Sequence, residues 1–344
     1  MNPMTSTILI SSLATGTIIT ASSYHWLMAW IGLEINTLAI IPMISKQHHP
    51  RATEAATKYF LTQAAASALI LFSSTINAWQ AGTWDILNST NYMANTFLTV
   101  AIAMKLGLAP MHFWLPEVLQ GTTMKTALII ATWQKLAPMA LMYQMTNNLS
   151  TITMLTLGVI SAMIGGWAGL NQTQTRKIMA FSSIAHLGWM ATIITIMPNI
   201  FLLNLLMYLM MTTSMFTALI LLNSKNITDL STTWTMMPTT TTLTMLTLLS
   251  LGGLPPLTGF MPKWLILEEL TMQNFNIMAT IMVMCSLLSL FFYLRLTYTS
   301  TITLSPNTTT TSHKWRFKYS TNTLLLTLTL PISTMMLPMT PLLY

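Results

Sequence analysis

Two stretches of the sequence, GLAPMHFWLPE at residues 107–117 and GLPPLTGFMPK at residues 253–263, share one spacing of glycine and proline. Each begins with Gly and has Pro at its fourth and tenth positions. Both interrupt long apolar runs, and a proline inside a helix removes a backbone donor and clashes with the preceding turn. The spacing therefore predicts two broken helices in corresponding halves of the chain, as in an inverted-repeat transporter. Interfacial turns at helix ends would give the same clusters and remain the alternative.

The sequence around these stretches is that of a membrane protein. Only 6% of the 344 residues are charged and 53% are hydrophobic, whereas a soluble domain carries about 25% charged residues. Runs of about 20 mostly apolar residues recur, each long enough to cross a hydrocarbon core of about 30 Å. An open sheet is excluded because its unpaired backbone groups cannot be left in lipid. We predict an all-α integral membrane protein with about eleven spans, at residues 3–22, 25–45, 55–79, 95–115, 126–146, 150–170, 178–197, 200–222, 240–266, 277–299 and 324–343.

The positively charged residues between these runs fall in alternate connections. The odd-numbered connections contain no Lys or Arg, and the even-numbered ones hold Lys46, Arg51, Lys125, Arg176, Lys177, Lys225, Lys314, Arg316 and Lys318. Positive residues gather on the side from which helices are inserted. We therefore expect the N-terminus inside and the C-terminus outside. The net charge of +7 is mainly an orientation signal, and no aromatic-interleaved basic patch indicates nucleic acid.

Four ionisable residues lie in the middle of apolar runs: Glu34, Lys105, Lys135 and Lys263. A charge at the centre of a membrane helix costs about 2.5–3.5 kcal/mol on insertion scales. Such residues usually serve the movement of protons or ions. The alternative for a single lysine is that it merely pairs with a backbone carbonyl.

Other polar residues are weaker candidates. His112 and His186 are possible members of a proton relay, with packing and one hydrogen bond as the alternative. Glu117 follows a proline at an inside edge, where proton entry and a cap on the fourth connection are both open. Lys58 lies near an inside helix end and is expected to snorkel.

The sequence offers no redox site. It has one cysteine, Cys285, and no GxGxxG fingerprint after a strand. A cluster ligated by this chain alone is therefore excluded, and chemistry on a nicotinamide or a quinone is not expected here. We also expect no metal site.

Five runs of the sequence closely match one family: RATEAATKYFLTQA from Arg51, KLGLAPMHFWLPEVLQG from Lys105, WQKLAP from Trp133, GGWAGLNQTQTRKIMAFSSIAHLGWM from Gly165 and LSLGGLPPLTGFMPKW from Leu249. In order and spacing, over about residues 24–300, the chain resembles the antiporter-like membrane subunits of respiratory complex I, the NADH:ubiquinone oxidoreductase. The match is most specific to the mitochondrial subunit 2 family.

The resemblance implies five helices paired with five around a pseudo-twofold axis, followed by a C-terminal helix. It implies one polytopic membrane domain over residues 1–344, with repeat halves at 1–146 and 150–299, an inside loop at 300–323 and the last helix at 324–344. It also implies the mitochondrial inner membrane, with the N-terminus on the matrix side and the C-terminus on the intermembrane-space side.

Carried over by position, the resemblance gives the buried ionisable residues their roles. Glu34 matches the channel acid, Lys105 the lysine of the first broken helix, Lys135 the central relay lysine and Lys263 the lysine of the second broken helix. We expect Glu34 and Lys105 within hydrogen-bond or one-water distance, so that their relative movement switches the lysine between holding and releasing a proton. The implied partners are other complex I subunits, chiefly neighbouring antiporter-like ones, with lipids and protons. NADH, FMN, the iron–sulfur clusters and ubiquinone would be bound by those partner subunits.

Two other classes of function stay open on the sequence. A free-standing cation/proton antiporter would have the same architecture and would exchange Na⁺ or K⁺ for protons by itself in liposomes. A purely structural spacer would tolerate replacement of Lys105 or Lys263 without loss of proton pumping.

Overall fold

A computed structural model of the chain describes residues 2–47, 49–89, 91–302 and 323–340. Every regular element in these ranges is a helix. The α-helices are α1 (Pro3–Ser22), α2 (Trp26–Ile44), α3 (Pro50–Ala81), α4 (Tyr92–Leu106), α5 (Trp114–Gly121), α6 (Met124–Ala131), α7 (Trp133–Gln144), α8 (Thr151–Gly169), α9 (Thr175–Ile193), α10 (Pro198–Leu222), α11 (Ile227–Met236), α12 (Pro238–Gly252), α13 (Phe260–Met272), α14 (Asn276–Ile302) and α15 (Leu324–Met335). The predicted inside cluster of Lys314, Arg316 and Lys318 lies outside the described residues.

The helices account for the predicted spans in two ways. Six of them, α1, α2, α3, α8, α10 and α14, are single helices long and apolar enough to cross a membrane. The remaining predicted spans correspond to helices that do not meet this criterion singly, namely α4 with α5, α6 with α7, α9, α12 with α13, and α15. The all-α integral membrane fold is thus confirmed.

The chain forms two compact units, Met1–Ser161 with Met190–Pro198 and Ala162–Trp189 with Asn199–Tyr344. In the first unit, α1 packs along α2, and α3 contacts α2, α4 and α5. In the second unit, α14 contacts α11, α12 and α13, and α12 also contacts α15. Each unit contains one of the two Gly/Pro stretches.

Glycines let α1 and α2 approach closely in the first unit. A Cβ added at Gly16 would lie 2.9 Å from the carbonyl oxygen of Gly32 and 2.5 Å from Oδ1 of Asn36. One added at Gly32 would lie 2.9 Å from the carbonyl oxygen of Gly16. Small residues at such crossings favour helix association in lipid, where close packing replaces the hydrophobic effect. The contact also seats Asn36 against α1.

The fifth predicted span, residues 126–146, is not one continuous helix, contrary to the sequence prediction. It is interrupted at Thr132, with φ −114° and ψ −70°, between α6 and α7. The hydroxyl of Thr132 donates to the carbonyl oxygen of Leu128 at 2.7 Å, and the backbone N–H of Thr132 donates to the same oxygen at 3.0 Å. The same back-bonding by Ser73 and Thr212 leaves α3 and α10 continuous, so the hydroxyl of Thr132 alone does not explain the interruption.

The eighth predicted connection contains a helix, α11, that the sequence reading missed. Asn226 and Asp229 form a capping box at its start, with Oδ2 of Asp229 accepting from the N–H of Asn226 at 2.9 Å. A capping side chain followed three residues later by an acceptor is a signature of a helix N-terminus. That spacing was the available signal.

Replacement of Gly16 by Leu is expected to destabilise the first unit by about 1–3 kcal/mol, because the new side chain overpacks the contact between α1 and α2. The matched control is Thr15→Leu, which adds the same side chain at the neighbouring exposed position. The midpoint of thermal denaturation in detergent should fall for Gly16→Leu only. Equal midpoints for the two variants would contradict the close packing.

Candidate functional site

The first Gly/Pro stretch ends α4 through a left-handed glycine. Gly107 has φ +81°, and its N–H donates to the carbonyl oxygens of Ala103 and Met104 at 2.9 and 3.3 Å. The N–H of Leu108 returns to Ala103 at 2.9 Å, which completes a Schellman cap. Helical structure resumes only in α5, so the predicted break is confirmed.

The second stretch repeats this geometry at the end of α12. Gly253 also has φ +81°, and its N–H donates to Leu249 and Ser250 at 3.2 and 3.0 Å. The N–H of Leu254 returns to Leu249 at 3.4 Å. The second predicted break is therefore confirmed, and the shared spacing of the two stretches corresponds to a shared backbone cap.

Lys263 reaches back across the second break. Its Nζ donates to the carbonyl oxygen of Gly252, the last residue of α12, at 2.9 Å. A carbonyl at a helix C-terminus has no intrahelical partner and carries partial negative charge. The ammonium of the half-buried Lys263 therefore satisfies a helix end. This is the pairing with a backbone carbonyl that the sequence left open for a lysine in an apolar run.

The second break is also held by the C-terminal helix. The hydroxyl of Thr258, inside the second stretch, donates to the carbonyl oxygen of Ser333 in α15. Ser333 is buried and lies in the last turn of its helix, where a carbonyl needs a donor from elsewhere. A side-chain hydrogen bond thus joins the break to α15.

Lys105 and Lys135 line one cavity inside the first unit. The cavity has a volume of about 20 Å³, which is room for about one water molecule. Both lysines are buried, each with 5% of its surface exposed. The structure therefore brings two of the predicted residues together, among the other lining residues Leu33, Asn36, Thr37, Tyr59, Gln63, Leu106, Trp114, Ile130, Gln134, Ala137 and Pro138.

Several polar groups of this cavity have no hydrogen-bond partner within the described residues. They are Nζ of Lys105, both amide atoms of Asn36 and Nε2 of Gln134. A buried polar group left without a partner costs about 1–3 kcal/mol, and a buried water commonly supplies the missing bonds. The cavity is therefore a candidate water site beside the two lysines.

Three polar side chains that frame the cavity were not predicted as site residues. The hydroxyl of Tyr59 donates to Oε1 of Gln134, and Nε2 of Gln63 donates to the carbonyl oxygen of Lys105, both at 3.5 Å. Tyr59 and Gln63 are four residues apart on α3 and so share a face. That spacing of polar groups in an apolar run was the signal available in the sequence.

Glu34 makes no direct contact with Lys105. Its Oε2 accepts from the hydroxyl of Thr37 at 3.2 Å, and its Oε1 is buried with no hydrogen-bond partner in the described residues. The ion pairs among those residues do not include Glu34, although its charge acts on Lys105. The direct form of the predicted contact is absent, and the water-mediated form stays a prediction. The hydroxyl of Thr37 lies closer to the carbonyl oxygen of Glu34, at 2.9 Å, than to its carboxylate.

The two histidines occupy different surroundings. His112 is buried in the first break, its ring 4.3 Å from that of Phe113, and its Nδ1 has no hydrogen-bond partner in the described residues. It does not line the cavity of Lys105 and Lys135. In the second unit, His186 is buried in α9 with its ring 5.7 Å from that of Tyr208. The described part of the chain contains no group of three or more His, Cys, Asp and Glu that could hold a metal ion.

Lys58 forms an ion-pair cluster that joins α3 to α5. Its Nζ lies 2.5 Å from Glu54 and 2.7 Å from Glu117. The expectation that Lys58 only snorkels was therefore incomplete, because the sequence did not show that Glu117 folds back beside it. Glu117 is the eleventh residue of the first stretch and Lys263 the eleventh of the second, so equivalent positions carry opposite charges.

Comparison with known proteins places this fold in a class of membrane subunits. The family model described as NADH:quinone oxidoreductase/Mrp antiporter, TM, matches residues 23–289. A chain of respiratory complex I from Thermus thermophilus with bound aureothin superimposes with a TM-score of 0.81 at 27% identity, covering 96% of this chain and 78% of that one. A chain of the Mrp complex from Dietzia sp. DQ12-45-1b shares the fold, with a TM-score of 0.77 at 16% identity over 87% of this chain and 61% of that one.

A second family model, NADH dehydrogenase subunit 2 C-terminus, matches residues 290–344. The NADH-ubiquinone oxidoreductase chain 2 of Xenopus laevis is 60% identical over 296 residues, which is 86% of each chain. That of Squalus acanthias is 59% identical over 296 residues, covering 86% of this chain and 85% of the relative. The chain therefore belongs to the NADH-ubiquinone oxidoreductase chain 2 family.

Replacement of Trp114 by Phe is expected to lower the free energy of unfolding by about 1 kcal/mol. The reason is that the indole Nε1 donates to the carbonyl oxygen of Met104, beside the first break, at 3.0 Å. The control is Trp79→Phe in α3, whose side chain is 88% exposed. The thermal midpoint in detergent should fall more for Trp114→Phe than for Trp79→Phe. Indistinguishable midpoints would show that the indole does not hold the break.

Proposed function

We propose that this chain is a proton-translocating, antiporter-like core subunit of the membrane arm of NADH:ubiquinone oxidoreductase. In this role it couples electron transfer from NADH to ubiquinone, performed in other subunits, to proton movement through buried Glu and Lys side chains. The observation that carries the proposal is the cavity that Lys105 and Lys135 share. Two buried lysines around a water-sized space are costly for stability alone and suited to proton exchange.

The cavity supplies the elements of one transfer step. A protonated Lys105 gives its proton to a water, the water gives a proton to neutral Lys135, and the charge moves between the lysines without a change in the total. The hydroxyl of Tyr59 donates to Oε1 of Gln134 and so fixes that amide group. Nε2 of Gln134 then stays available to a water in the cavity. Glu34 acts on Lys105 through its charge, so movement of α2 would bias which lysine holds the proton.

The remaining assignments extend this proposal to the whole chain. Lys263 continues the pathway in the second half, and His112 and His186 are candidate proton carriers. The equal caps at Gly107 and Gly253 support a five-plus-five inverted repeat with halves at residues 1–146 and 150–299. The last helix, at residues 324–344, would follow an inside loop at 300–323.

The surroundings of the chain follow from the same proposal. Its partners are other complex I subunits, chiefly neighbouring antiporter-like ones, with lipids around them. Those partners bind NADH, FMN, the iron–sulfur clusters and ubiquinone. The chain lies in the mitochondrial inner membrane with its N-terminus on the matrix side and its C-terminus on the intermembrane-space side, as the alternation of Lys and Arg favours.

Replacement of Lys135 by Met keeps the side-chain volume and removes the ammonium, so assembly should survive while proton pumping falls several-fold. Lys135→Arg should fail as well, because a guanidinium stays protonated and cannot release what it binds. Lys125→Met, at an exposed position of α6, is the matched control and should pump normally. The measurement is pH-gradient formation by the intact complex in proteoliposomes. Normal pumping by an assembled Lys135→Met complex would make Lys135 a packing residue and would contradict the central relay through this chain.

Glu34→Gln should also reduce pumping, because the amide no longer places a negative charge near Lys105. Asp85→Asn, at an exposed position outside the spans, removes a carboxylate of similar size and should have no effect. Both variants are compared at equal amounts of assembled complex. A Glu34→Gln complex that pumps like Asp85→Asn would remove Glu34 from the mechanism while leaving the lysine pair in place.

The free-standing cation/proton antiporter is tested with the purified chain in liposomes. We expect no exchange of Na⁺ or K⁺ for protons without the partner subunits. Exchange by the chain alone, lost in Lys135→Met, would establish the antiporter function instead.

A further inference from the structure

The absence of a side chain at Gly253 leaves the space in which the end of Lys263 lies. A Cβ built at Gly253 would be 2.9 Å from Nζ, 3.1 Å from Cδ and 3.2 Å from Cε of Lys263. Each of these distances is shorter than ordinary van der Waals contact between such atoms. Gly253 therefore touches the lysine along the last part of its side chain.

The acceptor of the ammonium adjoins this space. Nζ of Lys263 donates to the carbonyl oxygen of Gly252, the residue directly before Gly253 and the negative end of the α12 dipole. The neighbouring carbonyls of Leu249 and Ser250 already accept from the N–H of Gly253. Unlike those two carbonyls, the carbonyl of Gly252 accepts from the ammonium of Lys263.

We infer that Gly253 is a positioning residue for Lys263, because only a residue without a side chain lets the ammonium rest on the carbonyl of Gly252. The inference rests on the proposed role of Lys263 in proton movement. A methyl group at position 253 would meet the far end of a flexible side chain rather than fixed backbone. The lysine would therefore give way, and the ammonium would leave its acceptor.

Comparison with Gly107 in the first break distinguishes the contact with Lys263 from the requirement of the turn for a left-handed residue. Gly107 has the same φ of +81° and the same cap, yet a Cβ there would meet Cδ1 of Leu115 at 3.1 Å and Cζ2 of Trp114 at 3.5 Å. These neighbours are apolar. Left-handed backbone explains a glycine at both positions, and the contact with an ammonium is specific to Gly253.

The test compares Gly253→Ala with Gly82→Ala in the intact complex. Gly82 ends α3 with φ +71° and has nothing within 4 Å of an added Cβ, so its replacement introduces left-handed strain without a new contact. Proton pumping in proteoliposomes and NADH:ubiquinone turnover are measured over a range of pH at equal amounts of assembled complex. Lys263→Ala and the double variant Gly253→Ala/Lys263→Ala complete a thermal-stability cycle.

Gly253→Ala should reduce pumping several-fold at neutral pH and change its pH profile, because the ammonium of Lys263 would no longer donate to the carbonyl oxygen of Gly252. Gly82→Ala should pump with the wild-type profile. In the stability cycle, the loss of thermal midpoint caused by Gly253→Ala should shrink to that of Gly82→Ala once Lys263 is truncated. If Gly253→Ala alone does not assemble, recovery of assembly in the double variant supports the contact.

Three outcomes would overturn the inference. They are a Gly253→Ala complex with the profile of Gly82→Ala, a loss of midpoint that is unchanged by truncating Lys263, and a double variant that still does not assemble. The proposed function has its own readout in this experiment, since a Lys263→Ala complex with normal pumping removes Lys263 from the pathway whatever Gly253 does.

Discussion

Backbone carbonyls at the ends of helices must find donors when no bulk water surrounds them, and the two broken helices are organised around that requirement. At each break, a left-handed glycine turns two successive N–H groups back onto the last helical turn. Side chains then supply further donors, the indole of Trp114 in the first unit and the ammonium of Lys263 in the second. The same backbone cap is thus accompanied by two different side-chain donors. An indole N–H keeps its proton, whereas an ammonium can give one up.

The first unit places its lysines differently. Lys105 and Lys135 have a small cavity with polar lining residues beside them. Asn36 lines this cavity and also packs against Gly16, where α1 and α2 approach closely. The packing of α1 on α2 therefore helps to position a polar residue of the site. The apolar part of the lining, with Leu106 and Pro138, keeps the space too small for more than about one water. A space of this size has room for a water that bridges its polar groups, but not for a continuous aqueous channel.

Much of the fold could be predicted from the sequence, because hydrophobic length and Gly/Pro spacing act locally. The breaks after Leu106 and Gly252 lie where that spacing places them. The interruption at Thr132 could not be read in the same way, since no glycine or proline lies at that position and the same hydroxyl back-bond leaves other helices, such as α10 at Thr212, continuous. For the site, an ionisable group in an apolar run identified Lys105 and Lys135. Which neutral side chains would share their cavity depends on how α2, α3, α4 and α7 pack, so Tyr59 and Gln134 emerged only from the structure.

The hydrogen bond from Thr258 to Ser333 makes the two breaks unequal. The two breaks share one backbone cap, but this bond joins the second break, between Gly253 and Lys263, to the last helix. That helix contains no ionisable residue and by composition resembles a passive lipid-facing segment. The bond from Thr258 nevertheless links this helix to the segment that leads to Lys263, so a displacement of Ser333 would move that segment. Apolar substitutions in the final helix can therefore change the surroundings of the segment between Gly253 and Lys263 while every charged residue stays unchanged.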